Sequence, residues 1–179
     1  MPRNASVVVI YILCLFCGKK NPNVEKLRSW AYTHRGLYGD GAPENSLEAF
    51  RLAKEAGYGV ELDVHLLKDG NLAVFHDTLL SRMTGLDGRI VDLTTEDLQN
   101  CHLDGTGHTI PTFSQVLHLF DGKVPMIVEL KEVGNCAALC EKACKMMEIG
   151  MLDHIIVSPG SYFSFADECT TKFNNKIDR

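Results

Sequence analysis

The chain has 179 residues, of which 45% are hydrophobic and 23% charged, and a formal net charge of −5. That length supports one domain with a proper core and speaks against two. The acidic balance excludes a nucleic-acid backbone as the principal partner, since such binders carry clustered Lys and Arg. It leaves room for a small phosphate-bearing substrate held in a local cationic pocket.

The chain opens on an uninterrupted apolar run from Val7 to Cys17, with Arg3 before it and Lys19 and Lys20 after it. A membrane-spanning helix needs about 20 such residues. The run suits a signal-peptide apolar region lacking an Ala-x-Ala site, the tail of a longer anchor, or a plain apolar segment. The expected location is therefore cytoplasmic or membrane-associated, the latter through residues 7–17. Cys14 and Cys17 form a C-x-x-C with no second pair nearby, which argues against zinc. Seven cysteines without a disulfide-rich composition suggest a reducing compartment. Residues 1–28 thus form an apolar segment and linker.

Ser29 to His34 is the first predicted strand, followed by a loop over Gly36 to Gly41. Asn45 is expected to cap a helix carrying Leu47, Phe50, Leu52, Ala53 and Ala56, with Glu48 in a capping-box-like place and Gly57 as its stop. Gly59 to Leu67 is the next strand. Asp69-Gly70 then makes a tight turn into a strand over Leu72 to His76, and so short a connection joins antiparallel neighbours. Thr78 to Gly107 is polar and turn-rich, with a short helix expected at Thr95 to Cys101. Thr112 or Ser114 opens a helix through Phe120. Val124 to Leu130 is a buried strand, Cys136 to Ile149 a helix and His154 to Val157 a further strand. Cys136, Cys140 and Cys144 share one helical face, but eight residues of helix span about 12 Å. That is too far for one ion, so they are packing residues. Strands alternating with helices predict a parallel sheet with helices outside.

The candidate chemistry sits at strand ends. Glu61 and Asp63 are two apart on a strand and point to one face. Side by side they repel unless a proton or cation stands between them. Glu129, at the end of another strand, supplies a third oxygen ligand, and such a set suits Mg²⁺ or Ca²⁺. His34 and His76 are candidates for proton transfer, since an imidazole near neutral pH both accepts and donates. Asp77 either fixes the tautomer of a nearby histidine or starts the turn with Thr78. Arg35 and Lys131 offer positive charge to a phosphate, one as a planar fork and one as a point charge. His65 continues the Glu61 and Asp63 face and is expected to line the same mouth. Neither a Gly-x-Ser-x-Gly setting nor a Gly-x-x-x-x-Gly-Lys loop is present. The attacking hydroxyl is thus expected from water or substrate.

From Tyr32 to Val157 the chain resembles the glycerophosphodiester phosphodiesterases. The likeness rests on His34-Arg35-Gly36, Pro43-Glu44-Asn45-Ser46, Glu61-Leu62-Asp63-Val64, Lys68-Asp69-Gly70, Phe75-His76-Asp77 and Val128-Glu129-Leu130-Lys131, in that order. It implies His34 and His76 as the acid/base pair, Glu61, Asp63 and Glu129 as metal ligands, and Arg35 and Lys131 on the phosphate. Glu44, Asn45 and Asp77 would support them. The implied activity is hydrolysis of glycerophosphodiesters to glycerol 3-phosphate and an alcohol with Ca²⁺ or Mg²⁺. The implied fold is a TIM-type (β/α)₈ barrel with an inserted segment after the second strand, about 66–110. Such barrels take about 250 residues, and this chain shows about the first four barrel strands. A partial barrel domain over 29–158 and an irregular tail over 159–179 are therefore expected, with self-association through the open edges. Two alternatives remain: a lysophospholipase D-like enzyme, and an inactive half-barrel that binds metal or phosphate.

Overall fold

The computed structural model describes residues 29–131, 136–147, 155–158 and 161–164. They fall into two compact units divided after Glu132, so the body expected over 29–158 is shared between them. The first holds strands β1 (Tyr32–His34), β2 (Gly59–Leu66), β3 (Leu72–Val74) and β4 (Met126–Leu130). Its helices are α1 (Leu47–Glu55), α2 (Ser81–Thr84) and α3 (Phe113–Phe120), with 3₁₀ turns at Ile90–Asp92 and Asp97–Asn100. The second unit contributes α4 (Cys136–Met146) and an antiparallel pair, β5 (Ile155–Ser158) and β6 (Ser161–Ser164). β6 lies within the span 159–179 expected as an irregular tail. The apolar run at 7–17 and the C-x-x-C lie outside the described residues. Among the described residues no helix is long and apolar enough to cross a membrane.

β2 organises the sheet. β1 and β4 run parallel to it and β3 antiparallel, as the Asp69-Gly70 turn requires. Backbone groups of successive strand residues face opposite edges. The Val60 N–H donates to the Pro125 carbonyl at 3.1 Å and the Lys131 N–H to the Val64 carbonyl at 2.8 Å, which places β4 on one edge. The odd-numbered residues face the other edge. There the Glu61 carbonyl accepts from the Arg35 N–H at 2.9 Å, and the Asp63 carbonyl from the Phe75 N–H at 3.0 Å. β1 and β3 therefore share one edge of β2 end to end. β1 ascends and stops at His34, while β3 descends toward His76. This shared edge is what brings the two histidine-bearing strand ends together.

On the core side, Val60, Leu62 and Val64 of β2 are fully buried. Helix α1 packs on α3 and on β2, with the Phe50 and Phe120 rings in an edge contact at 5.9 Å. The polar stretch after β3 builds a core of its own. Leu80, Met83, Ile90, Leu98, Leu103 and Ile110 cluster with Leu67, Ala73 and Phe75 of the hairpin. Asp69 ties the turn to this segment by accepting from the Thr95 N–H at 2.8 Å.

Two helix starts show what decides a cap. Thr112 opens α3 with a full capping box, its partner being Gln115. For α1 the cap is Ser46, whose hydroxyl accepts from the Ala49 N–H at 3.1 Å, and not Asn45. Asn45 has φ +55°, outside the extended geometry a cap needs, and its amide is used elsewhere. Glu48 consequently pairs with Arg51 rather than completing a box. The segment expected as a helix at Thr95 to Cys101 is the short 3₁₀ turn at Asp97–Asn100.

Gly36 carries the sharp turn out of β1. It has φ +84°, and a Cβ there would lie 2.9 Å from the Ala49 carbonyl carbon and Cβ. Gly36→Ala combines a left-handed backbone with backbone overpacking and should destabilise by roughly 2–4 kcal/mol. A lowered denaturant midpoint at unchanged slope would show this, and a wild-type midpoint would refute it.

Candidate active site

Register builds the acidic centre. Glu61 and Asp63 alternate onto the same face of β2, Asp63 pairs with Glu129 of β4, and Glu61 pairs with His34 of β1. Neighbours in register share a face. Glu61, Asp63 and Glu129 accordingly each offer a carboxylate oxygen within 4.8 Å of the others. Asp63 is fully buried. Its Oδ2 accepts from Asn45 Nδ2 at 2.9 Å and lies 3.4 Å from Arg35 Nε. Its Oδ1 lies 3.1 Å from Lys131 Nζ, outside hydrogen-bond geometry, and has no hydrogen bond among the described residues. Lys131 Nζ also pairs with Glu129 Oε1 at 2.7 Å. Burial, then the Asp63 charge, pushes the Glu61 pKa up. Burial works against the Lys131 ammonium, but the Glu129 and Asp63 carboxylates beside it outweigh that and raise its pKa.

The shared edge of β2 fixes the flanking residues. Arg35 turns away from β1 at φ +58°, and its Nη1 donates to Glu44 Oε1 at 3.1 Å. The fork expected to face a phosphate is thus set between two carboxylates, Glu44 and Asp63. His34 is the most open of the set, its side chain 63% exposed, with Nε2 3.8 Å from Glu61 Oε2. His76 Nδ1 lies 2.6 Å from Asp77 Oδ1. A carboxylate accepts, so Nδ1 carries the proton and Nε2 is the atom left to exchange one. Of the two uses expected for Asp77, this contact with the His76 ring is the geometry the tautomer role requires. Burial opposes ionisation of Asp77, but Arg82 and His76 hold its pKa below the usual carboxylate range.

His65 departs from expectation. It is only 3% exposed, and its Nε2 meets the His76 carbonyl at 3.3 Å. It props the His76 backbone from below instead of lining an open mouth. Burial takes its pKa down to about 4, so the ring is neutral at neutral pH. Arg82 was not singled out by any motif or spacing. Its Nε donates to Asp77 Oδ2 at 2.5 Å and its Nη2 to Glu44 Oε1 at 2.5 Å. It comes from the polar stretch after β3, and only the fold brings it here.

Residues 34–171 match the model of the glycerophosphoryl diester phosphodiesterase family. The chain belongs to that family. Among curated relatives of this phosphodiesterase family member, a glycerophosphodiester phosphodiesterase of Bacillus altitudinis is 38% identical over 146 residues, covering 75% of this chain and 59% of the relative. One from Caldanaerobacter subterraneus is 32% identical over 153 residues, covering 79% and 62%. The chain thus spans about three-fifths of the length of these relatives. Among solved structures, an Oleispira antarctica phosphodiesterase in complex with the product sn-glycerol-3-phosphate superposes with a TM-score of 0.58 at 29% identity, covering 66% of this chain and 51% of that one. A Thermotoga maritima glycerophosphodiester phosphodiesterase gives 0.56 at 35% identity, covering 66% and 49%. The parallel strands and their helices are therefore the fold of this phosphodiesterase family over that span.

The donor set of the family member suits a hard divalent ion. All three converging ligands are carboxylates, as Ca²⁺ and Mg²⁺ prefer, and the buried Asp63 Oδ1 lacks a hydrogen bond. Across the linked ion pairs of the site, Glu44, Glu61, Asp63, Asp77 and Glu129 outnumber Arg35, Arg82 and Lys131 by two charges. One divalent cation would balance that excess.

Proposed function

We propose that this protein hydrolyses glycerophosphodiesters to glycerol 3-phosphate and an alcohol, using Ca²⁺ or Mg²⁺ held by Glu61, Asp63 and Glu129. The observation that carries the reading is the approach of those three carboxylates within 4.8 Å, beside the meeting strand ends of His34 and His76. When bound, the cation supplies positive charge to the phosphoryl oxygens. Arg35 and Lys131 add to it from the flanks, where fixed charge in a partly dry site counts most. One imidazole takes the proton of the attacking hydroxyl, which comes from water, or from the neighbouring glycerol hydroxyl to give a cyclic phosphate that a water then opens to glycerol 3-phosphate. The other gives a proton to the departing alkoxide, so protons balance over the cycle. His76 enters with its Nδ1 proton held by Asp77, which leaves Nε2 for this exchange.

A cavity of about 570 Å³ opens beside Glu44 and Arg82, with Tyr38, Pro43 and Met83 in its wall. It is where we place the alcohol half of the substrate. We read the parallel strands as strands of a TIM-type barrel, and the β3 hairpin with residues 66–110 as the segment inserted into it. A second reading is lysophospholipase D action. It is favoured by a rat relative named lysophospholipase D, 28% identical over 150 residues. The exposed Leu37 and Tyr38 next to the turn from β1 agree with an apolar substrate tail.

The test compares glycerophosphocholine with lysophosphatidylcholine, each with Ca²⁺, with Mg²⁺ and with chelator. Cation-dependent release of glycerol 3-phosphate from the first supports the main reading. Faster turnover of the second moves the assignment to the lipid. No turnover of either, with cation binding intact, leaves a metal-binding module and sinks both.

A further inference from the structure

Arg82 is the cation of this site that has no role in the chemistry above. It stands on α2, in the polar stretch that follows β3, away from the strands that supply the other residues. Its fork grips two carboxylates at once. Nε donates to Asp77 Oδ2 at 2.5 Å, while Nη2 donates to Asp77 Oδ1 at 3.2 Å and to Glu44 Oε1 at 2.5 Å. Asp77 Oδ1 is the oxygen that holds His76 Nδ1, and Glu44 Oε1 is the oxygen that takes Arg35 Nη1. One guanidinium thus joins the support of His76 to the support of Arg35. A Lys point charge lacks the geometry to bridge both.

The anchorage of Arg82 is rigid. Its neighbour Met83 and the preceding Leu80 are buried in the cluster beneath the hairpin, and Gly85 ends the helix at φ +70°. Yet the side chain is 47% exposed. Glu44 and Asp77 are more covered, at 13% and 22%, but ion pairs with one partner so open to water add only modestly to stability, commonly about 1 kcal/mol or less. Their use here is to aim groups rather than to hold the fold.

The geometry points to Arg82 as a positioning residue that acts through Asp77 to fix the His76 ring, with Glu44 as the brace. It does not touch the reacting atoms. The inference rests on the hydrolase reading for its kinetic consequence, but not for its structural one. Arg82→Met should lower kcat by about 10- to 100-fold, the cost of a slightly misplaced catalytic group, with a smaller change in KM, since Arg82 also lines the cavity given to the alcohol half, and with the melting temperature nearly unchanged. Arg82→Lys should recover only part of the loss. In a double-mutant cycle, adding Arg82→Met to Asp77→Asn should cost less than about threefold more, because both act on one ring.

Imidazole ¹⁵N–¹H spectra of the full chain read the same claim without turnover. The His76 signal, assigned by comparison with His76→Ala, should shift or broaden in Arg82→Met. Losses that multiply in the cycle, or a wild-type kcat in Arg82→Met, overturn the assignment while the hydrolase reading stands. If the wild-type chain hydrolyses no glycerophosphodiester, that reading fails and the spectra decide alone. An unmoved His76 signal then overturns the role of Arg82, and a moved one upholds it.

Discussion

Replacing Glu61 with Gln should abolish divalent-cation binding and take hydrolysis with it, by about 10³-fold or more in kcat, roughly 4 kcal/mol. The substitution keeps shape and volume and removes one charge. Glu61, Asp63 and Glu129 present oxygens within 4.8 Å of one another, and burial together with the Asp63 charge already pushes the Glu61 pKa up. A cation relieves that repulsion, and affinity for a hard ion follows the number of charged oxygens offered. Calorimetric titration with Ca²⁺ and with Mg²⁺ gives the binding arm, and release of glycerol 3-phosphate gives the kinetic arm. In chelator, Glu61→Gln should melt no lower than wild type, because it removes the repulsion from Asp63, while the Gln carbonyl oxygen can still accept from the Arg35 N–H and the exposed His34 pair adds little. Wild-type cation affinity in the variant would place the metal elsewhere.

His34→Ala and His76→Ala should each lower kcat by about 10²- to 10⁴-fold, the usual worth of a positioned proton carrier. The two rings reach their posts differently. His76 is held by Asp77 at Nδ1 and by His65 beneath its carbonyl, whereas His34 stands largely in water with Glu61 3.8 Å away. His76→Ala should therefore also erase the effect of Asp77→Asn, since Asp77 acts through that ring. His34→Ala should leave the effect of Asp77→Asn intact. Full activity in the double variant lacking both imidazoles would end the acid–base scheme.

Much of this was legible in the residues themselves. The spacing of Glu61 and Asp63 gives a shared face because side chains alternate along a strand. Asp69-Gly70 gives the fold-back of β3, since so short a link admits no parallel neighbour. Asn45 misled because Asn, Asp and Ser are all good caps, and the choice fell to backbone dihedral and to the buried Asp63, which claims its amide. Arg82 was invisible for another reason. Its partners Glu44 and Asp77 are 38 and 5 residues away, and no local pattern encodes a bridge made by tertiary packing. β6 escaped because a four-residue strand, Ser161–Ser164, shows too little alternation to stand out.

Two strands that abut on one side of a third leave no slack between their tips. Lengthening β1 past His34 would drive it into the descending chain at Phe75, and lengthening the descending arm would do the reverse. Tolerance for added residues must therefore lie in the excursions, above all between Thr78 and Gly107, where new material can grow outward. Recombining this scaffold with a sibling is best done by exchanging that excursion whole, with Arg82 travelling as part of the exchanged piece.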